Sequence, residues 1–433
     1  MKPFIRSACL ASLLCLHLPA TAEEAFSDSE NDQLPYEDIG VFTEVFEQIR
    51  LHYVTEVSDQ ELLEYAIRGM LEGLDPHSAY LNKNDYSELQ ESTKGEFAGL
   101  GLEVTLESGF IKVVAPIDDT PAQKAGIQAG DLIIQLDGQS TKGLTLDNSI
   151  DLMRGKEGSE ITLTLLREGE KQPITLTLKR AIIKIRSVKS RTLEPGFGYL
   201  RIAQFQQNTA ADVQEHIERL LKNNNQKLDG LIIDLRNNPG GVLTSAVDIC
   251  NFFLNDGVIV YTEGRHPESR EDFYATKEEL LAGKPIVILI NSGSASASEI
   301  VAGAMQDHKR ALIAGTTSFG KGSVQTILPL PRDRAIKLTT ARYYTPSGRS
   351  IQAEGIQPDI LIQPARVTPV ESGLQIKEAN LNKHLENPEN DITQSQPSSE
   401  LIKQDYQLYE ALNLLKAVHL SQLADAATAK EEE

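Results

Sequence analysis

The sequence predicts a multidomain α/β protein with a helical N-terminal region, a small β-rich domain, an α/β core around a buried sheet, and a C-terminal helix. Its 433 residues are enough for about two to four domains of typical size. Short β-rich runs separated by turn signals fill residues 95–180, whereas continuous apolar runs alternate with helical patterns over residues 181–365. Apolar strands followed by helices are typical of a sheet that is buried on both faces.

Residues 1–22 have the pattern of a secretory signal peptide. Lys2 and Arg6 precede a short apolar run, which ends in an Ala-Thr-Ala cleavage site. The run is too short to span a bilayer comfortably, so we expect cleavage after residue 22 rather than retention as a membrane anchor. No other stretch of the sequence is long and apolar enough to span. We therefore expect an exported protein with no integral membrane segment once the signal is removed.

Cysteine usage and charge exclude several classes of protein. Cys9 and Cys15 fall in the predicted signal and lack the pattern of a lipid-modified cysteine, which disfavours a lipid-attached protein. Cys250 is then alone in the mature chain, so no internal disulfide is expected, and its apolar context predicts a core residue rather than a nucleophile. Loss of Lys2 and Arg6 changes the formal charge from −20 to −22. So acidic a chain is a poor partner for nucleic acid or an anionic membrane surface.

Residues 23–94 are predicted to form a helical region after a short acidic lead. Apolar side chains recur there at helical spacing in two sets. The sets are Phe42, Phe46, Ile49 and Tyr53, then Leu63, Ile67, Met70 or Leu71, and Leu74. Such apolar faces need a partner, and we expect either the body of the protein or a second copy in a dimer or larger homo-oligomer.

Residues 95–180 have the element order of a small β domain with two helices. The β-rich runs lie at residues 101–106, 110–115, 131–136, 160–167 and 173–178, and the helical pieces at 121–125 and 146–153.

This segment resembles a PDZ domain. The matching residues are Gly99-Leu100-Gly101-Leu102, Pro121-Ala122 with Ala125-Gly126, Gly130-Asp131 and Asp137-Gly138. PDZ domains bind extended C-termini by strand addition, and their backbone amides capture the terminal carboxylate. The resemblance implies that Gly99, Leu100, Gly101 and Leu102 form the carboxylate-binding loop and that the strand after it is the binding edge.

The core region, residues 181–365, alternates strands with helices. Apolar strands are predicted at residues 198–202, 228–234, 286–290 and 310–314, helices at 208–221, 243–254 and 297–306, and a last β-rich stretch at 324–344. Residues 366–399 are rich in Asn, Gln, Ser and Pro and predict a polar linker. Residues 400–433 predict a helix for docking or oligomerisation, with one apolar side formed by Leu401, Leu408, Leu412 and Leu415.

A turn at residues 234–241 is the first candidate for chemistry. Its sequence, Asp-Leu-Arg-Asn-Asn-Pro-Gly-Gly, follows a predicted buried strand and precedes a helix. Glycines leave backbone N–H groups unobstructed at a helix N-terminus, where they can hold an anion such as an oxyanion. A strand-to-helix turn that needs glycine only for its geometry fits equally well, so both interpretations stay open on these residues alone.

A second turn, residues 291–299, reads Asn-Ser-Gly-Ser-Ala-Ser-Ala-Ser-Glu between a predicted buried strand and a helix. Small side chains let a peptide backbone approach closely, and a serine at the helix start feels the positive end of the helix dipole. Helix capping by serine is the alternative interpretation. The local sequence does not choose among its four serines: Ser292, Ser294, Ser296 and Ser298.

Lys321 stands between two glycines in the third segment, residues 315–325. A lysine that takes a proton from serine must be neutral, so burial or an apolar site must lower its pKa. A solvated loop lysine is the alternative. Phosphate binding is disfavoured because the P-loop spacing is missing. Ser318 and Lys321 have the Ser-x-x-Lys spacing of penicillin-binding enzymes, but the flanking glycines disfavour the helix that this motif needs.

The three segments, in this order behind a PDZ-like domain, resemble the C-terminal processing peptidases, also called carboxy-terminal or tail-specific proteases. The resemblance covers about residues 40–365. It implies a periplasmic serine endopeptidase that cleaves proteins after its PDZ domain has bound their accessible apolar C-termini. No cofactor is implied, and the scattered histidines show no H-x-x-x-H pattern, so no metal site is predicted.

The resemblance also assigns roles to residues. It singles out Ser296 as the nucleophile and Lys321 as its base, with Gln325 assisting the lysine. Glu299 corresponds to a helix residue with a supporting role in some members. All these positions are occupied by the matching residue types, which disfavours the alternative function, a catalytically silent PDZ scaffold or binding protein.

Gly241 and Ala297 correspond to the oxyanion-hole amides. The resemblance also suggests that the PDZ domain gates activity, and Arg154 is a candidate residue for this coupling. Asp307, sometimes proposed as a third catalytic member, lies eleven residues past Ser296. On one helix that is about 16 Å at ~1.5 Å per residue, so the role is disfavoured. Some periplasmic relatives use a helical-repeat adaptor lipoprotein, which is an analogy at family level only.

Overall fold

The computed structural model describes residues 35–276, 279–368 and 400–431. The predicted signal peptide and almost all of the predicted linker lie outside these ranges. The chain divides into two compact units, the first ending at Ile67 and the second starting at Arg68. In the described part of the chain, none of the helices combines the length and the apolar character that crossing a membrane requires.

Two helices occupy the start of the described chain, as the apolar spacing predicts. They are α1 (Tyr36–His52) and α2 (Asp59–Glu72). In α1, acidic residues occupy the first turn and basic residues the last, an order that favours the helix dipole. None of its residues is buried, and Val41, Phe42 and Val45 are each about half exposed or more.

Three short elements follow that the sequence pattern did not predict. They are β1 (Ala79–Leu81), α3 (Lys83–Lys94) and β2 (Glu96–Gly99). The Asn82 side chain caps α3 by accepting hydrogen bonds from two backbone N–H groups of its first turn. Gly95 ends α3 in the left-handed conformation, with φ 72°.

The PDZ domain is an antiparallel sheet with two short helices. In order along the sheet, β3, β4, β5, β7 and β8 are neighbours, and β6 pairs with β5. Its elements are β3 (Leu102–Glu107), β4 (Phe110–Pro116), α4 (Pro121–Lys124), β5 (Leu132–Leu136), β6 (Gln139–Ser140), α5 (Leu146–Met153), β7 (Glu160–Leu166) and β8 (Ile174–Lys179). Strand β3 is therefore an edge strand, as the PDZ resemblance implies.

The α/β core follows the PDZ domain. In chain order its elements are β9 (Ala181–Lys184), β10 (Val188–Glu194), β11 (Phe197–Ile202), α6 (Thr209–Asn223), β12 (Gly230–Asp234), α7 (Leu243–Cys250), β13 (Val258–Gly264), a 3₁₀ turn (Pro267–Ser269), β14 (Glu271–Tyr274), β15 (Ile286–Ile290), α8 (Ala297–Asp307), β16 (Leu312–Gly315), β17 (Ser323–Leu330), β18 (Arg334–Tyr344), β19 (Ile360–Leu361), α9 (Leu401–Gln404) and α10 (Tyr406–Glu431).

The main sheet of the described core has the order β10-β11-β12-β15-β16-β19, and β11 to β19 run parallel. Strands β12 and β15 are buried along their whole length. Alternate residues face opposite layers: Leu231 and Ile288 pack in the core with α6, α7 and α8, whereas Ile232 packs with α10. The predicted multidomain α/β fold with a doubly covered sheet is confirmed.

The C-terminal helix docks on the second face of this sheet, and it breaks at Asp405 rather than running unbroken from residue 400. The Asp405 carboxylate accepts a hydrogen bond of 3.0 Å from the Leu408 N–H at the start of α10. It also pairs at 2.7 Å with Arg236, which pairs in turn with the buried Asp234 at 2.7 Å. This ion-pair network anchors the break between α9 and α10 beside the turn at residues 234–241.

A second sheet of the described chain joins β1, β18, β13 and β14, with β17 paired to β18 as a long hairpin. Strand β1 pairs antiparallel with β18, with Ala79 opposite Lys337. On β17, Gln325 lies opposite Thr339 of β18. The segment that ends at β1 therefore approaches the loop and hairpin that carry two predicted site residues.

The docking of α10 can be tested with two leucines on the same helix. Leu415 is fully buried against Gly230, whereas Leu420 is 64% exposed. We expect Leu415→Ala to lower the free energy of unfolding by about 2–5 kcal/mol because it leaves a cavity. The matched Leu420→Ala should change it by no more than about 0.5 kcal/mol. Equal effects in denaturant unfolding of the full chain would contradict the docking.

Candidate active site

Ser296 precedes α8 and lies on the wall of a cavity of about 580 Å³. Its backbone has φ 56° and ψ −114°, a conformation that residues with a Cβ rarely adopt and that often marks a functional turn. The turn is held because the Ser296 N–H donates a hydrogen bond of 2.8 Å to Oε2 of Glu299. The hydroxyl is thus presented to the cavity at the positive end of the helix dipole.

The structure distinguishes the four serines that the local sequence left open. Ser294 and Ser298 are buried, and their hydroxyls donate to carbonyls of the turn at residues 234–241 at 2.8 and 2.9 Å. Ser292 is exposed and is not part of the cavity wall. Ser296 alone among the four lines the cavity.

The turn at residues 234–241 packs directly against Ser296. A Cβ on Gly240, which has φ 98°, would lie 2.8 Å from the Ser296 Cβ, and one on Gly241 would lie 2.0 Å from the Phe205 oxygen. Neither position accepts a side chain. The buried Asn238 fixes the turn, because its Oδ1 accepts the Gly240 N–H at 2.9 Å.

Two backbone amides beside Ser296 are left without partners. Gly241 and Ala297 both line the cavity. Within the described residues, neither N–H donates a hydrogen bond. N–H groups beside a serine hydroxyl can stabilise an oxyanion, which is the role that the family resemblance implies for Gly241 and Ala297.

The Glu299 carboxylate joins the serine turn to the lysine loop. It is fully buried. Oε1 accepts hydrogen bonds from the Ser318 hydroxyl at 2.5 Å and from the Gly320 N–H at 2.7 Å. Oε2 accepts from the Ser296 N–H at 2.8 Å and from the Lys321 N–H at 2.9 Å. Four donors on one carboxylate fix the backbones of both predicted catalytic residues relative to each other.

Lys321 lies half-buried on the wall of the same cavity. Burial lowers the pKa of Lys321, the positive charge of Lys337 lowers it further, and the carboxylates of Glu299 and Asp75 oppose both effects. Its amine makes no hydrogen bond or ion pair with any described residue. A Cβ on the neighbouring Gly322 would lie 2.6 Å from a backbone nitrogen, so glycine is required there.

Gln325 lines the cavity but does not contact Lys321 through a hydrogen bond. Its Nε2 donates to the Ser323 hydroxyl at 3.0 Å and to the Thr339 hydroxyl at 3.3 Å. Thr339 donates in turn to Asp75 at 3.1 Å. The structure therefore brings Ser296, Lys321 and Gln325 to one cavity, with Gln325 bonded to Ser323 and Thr339 rather than to Lys321.

The segment between α2 and β1 places two titratable side chains near Lys321 that the sequence analysis did not single out. They are Asp75 and His77. Burial disfavours the charge of Asp75, but hydrogen bonds from Ser78, the His77 N–H and Thr339 outweigh it and lower the pKa of Asp75 to about 2. Burial lowers the pKa of His77, and the charge of Lys321 adds to this. In the sequence these residues stand in the run Asp-Pro-His-Ser, directly after the second predicted helical set.

Tyr343 is a third missed residue. It lines the cavity and is 1% exposed, and its hydroxyl lies near that of Ser296 without a hydrogen bond of ordinary geometry to any described residue. Burial raises the pKa of Tyr343, the Glu299 carboxylate adds to this, and the Ser296 hydroxyl opposes it. The phenol therefore lies beside the two residues that define the serine turn.

The predicted carboxylate loop lines a separate groove of about 170 Å³ in the PDZ domain. The groove lies between edge strand β3 and helix α5. Gly101 has φ 79°, and a Cβ there would lie 2.3 Å from Thr120. The N–H groups of Leu100 and Gly101 donate no hydrogen bond to any described residue, so both can receive a ligand acceptor.

Arg154 borders this groove and reaches helix α3. Its guanidinium pairs with Glu88 at 3.6 Å and with Glu91 at 3.4 Å. The same helix contributes Leu89 and Thr93 to the wall of the active-site cavity. Helix α3 therefore lines the active-site cavity and is linked to the PDZ groove through Arg154.

Residues outside the cavity have other tasks. Asp307 accepts a hydrogen bond of 2.9 Å from the Ser347 N–H and pairs with Arg349 at 2.7 Å at the far end of α8. Cys250 is buried, and burial raises the pKa of its thiol. Within the described ranges, no group of three or more His, Cys, Asp or Glu side chains is placed to hold a metal ion.

Comparisons with known proteins agree with this architecture. A sequence model of peptidase family S41 matches residues 196–362, a PDZ domain model matches residues 112–167, and a model of the N-terminal domain of the activating protease CtpB matches residues 17–85. A carboxy-terminal-processing protease of Bartonella bacilliformis is 48% identical over 394 residues, which cover 90% of each chain. The chain belongs to the carboxy-terminal processing proteases of family S41.

Other carboxy-terminal processing proteases are similar as well. The protease CtpB of Bacillus subtilis is 35% identical over 80% of this chain and 71% of its own. The solved structure of a photosystem II D1 C-terminal processing protease is 31% identical, with a TM-score of 0.44, and covers 76% of this chain and 94% of that one. The predicted family and PDZ domain are confirmed. Membership of this family makes the chain a serine peptidase.

The bridging role of Glu299 can be tested by Glu299→Gln. The amide keeps the size of the side chain but replaces one acceptor oxygen with a donor. The buried N–H groups that faced this oxygen lose their acceptor, which costs about 1–3 kcal/mol of stability for each. We expect the peptidase kcat to fall about tenfold or more. The exposed Glu218→Gln on α6 is the control. A Glu299→Gln protein with unchanged kcat would show that the bridge is dispensable.

Proposed function

We propose that this protein is a periplasmic serine endopeptidase of the C-terminal processing type with a Ser296/Lys321 catalytic centre. The observation that carries the proposal is the buried Glu299 bridge, which fixes the Ser296 and Lys321 backbones on one cavity wall. The unbonded N–H groups of Gly241 and Ala297 at the same wall support it.

The chemistry follows from these positions. The neutral Lys321 amine takes the Ser296 proton while Oγ attacks the scissile carbonyl carbon. The tetrahedral oxyanion accepts hydrogen bonds from Gly241 and Ala297. The Lys321 ammonium then protonates the leaving amine as the C–N bond breaks. Water, deprotonated by the same lysine, attacks the acyl-enzyme, and the proton returns to Ser296 as the ester is cleaved.

Substrate recognition is proposed to occur in the PDZ groove. A C-terminal peptide pairs with edge strand β3, and its carboxylate accepts from the N–H groups of Leu100 and Gly101. Apolar side chains of Leu102, Ile150 and Met153 line the groove. They fit an apolar last residue, and for this reason we propose protein substrates with accessible apolar C-termini.

The contacts of Arg154 support a coupling role. It lies at the rim of the groove and pairs with two glutamates of α3, a helix that also lines the catalytic cavity. A peptide carboxylate in the groove competes for the Arg154 guanidinium and changes how it holds α3. In this scheme Gln325 leaves Thr339 and turns to Lys321 when substrate is bound.

Export, assembly and delivery complete the proposal. The signal pattern of residues 1–22 supports a periplasmic location. The exposed apolar side chains of α1, among them Val41, Phe42 and Val45, support a dimer or larger homo-oligomer. Delivery by a helical-repeat adaptor lipoprotein is carried over from periplasmic relatives by analogy alone.

The nucleophile is tested by Ser296→Ala in a digestion assay with a protein that ends in an apolar C-terminus. We expect cleavage to fall to background while binding of a C-terminal peptide is retained, because the PDZ groove is untouched. The exposed Ser292→Ala is the matched control and should cleave normally. Cleavage by Ser296→Ala would rule out the proposed centre, and background cleavage by the unaltered protein would favour the silent-scaffold alternative.

Recognition of the carboxylate is tested with one peptide in two forms. A free C-terminus can accept charge-assisted hydrogen bonds from Leu100 and Gly101, worth about 1.5–3 kcal/mol each. We expect C-terminal amidation to weaken binding to Ser296→Ala protein at least about tenfold, measured by calorimetry. Equal affinity for the free and amidated peptides would mean that the Gly99–Leu102 loop does not recognise the terminal carboxylate.

A further inference from the structure

A second lysine, Lys337, faces the active-site cavity. It lies on β18, two residues before Thr339, and opposite Ile327 of β17. Paired residues, and residues two apart on a strand, project from the same face of a sheet. Lys337 and Ile327 accordingly line the cavity together with Gln325. Lys337 and the proposed catalytic lysine, Lys321, therefore line the same cavity.

The charge of Lys337 is not neutralised by a neighbour. No carboxylate forms an ion pair with it, and no acceptor takes a hydrogen bond from it, within the described residues. The side chain is half-buried, so solvent screens its charge less than that of a surface lysine. Lys337 therefore places an uncompensated positive charge beside the cavity.

The groups that face Lys321 come from three elements. Lys337 projects from β18, Glu299 from α8, and Asp75 and His77 from the segment before β1. The two carboxylates favour the ammonium form of Lys321. Both are already engaged, since Glu299 accepts four hydrogen bonds and Asp75 is held by its own loop and Thr339.

Burial and Lys337 act in the opposite direction, and burial lowers the pKa of Lys321 more than Lys337 does. A lysine next to another cation is one of the recognised ways in which proteins activate an amine. We propose that Lys337 is a positioning residue, whose ammonium favours the neutral, proton-accepting form of Lys321. This inference rests on the proposed role of Lys321 as the base. Lys337 makes and breaks no bond in the reaction, because it acts through Lys321.

The test compares Lys337→Met with Lys337→Arg in the full chain. Both kcat and kcat/KM are measured from about pH 6 to 10 on a peptide with an apolar C-terminus and no acidic residue. We expect the acidic limb of the Lys337→Met profile to move to higher pH. Activity at neutral pH then falls about tenfold and recovers in alkaline buffer. Lys337→Arg keeps the charge and should retain the original profile.

Three further proteins complete the experiment. Lys222→Met, on the exposed side of α6, is the control for loss of a surface lysine. His77→Gln with and without Lys337→Met separates imidazole titration from that of the lysine; if the shift of the limb vanishes without His77, the inference is overturned. Circular dichroism verifies folding of each variant across the pH range.

Each of the other possible results overturns either the role of Lys337 or the proposed function. An unmoved limb, or a loss of activity at every pH without alkaline recovery, overturns the inference. So does a rise in KM confined to peptides with acidic side chains, which would make Lys337 a substrate-binding residue. The proposed function fails separately, when Lys321→Ala retains activity. An inactive Lys321→Ala combined with an unmoved Lys337→Met limb removes only the role of Lys337.

Discussion

The buried carboxylate of Glu299 holds together two loops that the chain builds independently. Ser296 follows β15, and Lys321 follows the neighbouring parallel strand β16. The glycine turn at residues 237–241 follows β12, on the other side of β15. Parallel strands end at one edge of the sheet, where ligand sites of α/β folds are generally found. The topology brings the three turns to this edge, and the Glu299 hydrogen bonds then fix the distance between the two that carry the proposed dyad.

The polar groups in and around this cavity divide into those that have a hydrogen-bond partner and those that do not. Ser298 and Asn238 are buried and fully used in holding the turns in place. The N–H groups of Gly241 and Ala297 and the hydroxyl of Tyr343 have no partner in the described chain. Ala297 and Tyr343 are buried, whereas Gly241 is exposed and its N–H can bond water. Buried polar groups without partners cost about 1–3 kcal/mol each and are uncommon. Their concentration at one cavity is explained most simply if a substrate supplies the missing partners.

Hydrophobic patterning predicted the α/β core, a small β-rich domain and two N-terminal helices, because these elements repeat a period over many residues. Identifying the β-rich domain as a PDZ domain required the family resemblance. The patterning did not predict β1, whose three residues are too few for a period and whose partner β18 is distant in sequence. Asp75 and His77 were missed for the same reason, since their contacts depend on that pairing. Choosing Ser296 among four serines required the family resemblance. In the structure the hydroxyls of Ser294 and Ser298 donate to backbone carbonyls and Ser296 lines the cavity, which supports the proposed nucleophile.

Helix α3 connects the two halves of the proposed mechanism. One part of its surface pairs with Arg154 at the PDZ groove, and another contributes Leu89 and Thr93 to the catalytic cavity. Contact alone does not transmit a signal; a connecting element must have two arrangements that the two sites stabilise differently. The ion pairs of Arg154 are long, at 3.4 and 3.6 Å, and Gln325 is bonded to Thr339 instead of Lys321. A few side-chain rearrangements can exchange both of these contacts. The Glu299 carboxylate, in contrast, is buried and already accepts four hydrogen bonds. The coupling that we propose therefore assigns substrate control to α3 and Gln325, with a fixed frame around Ser296.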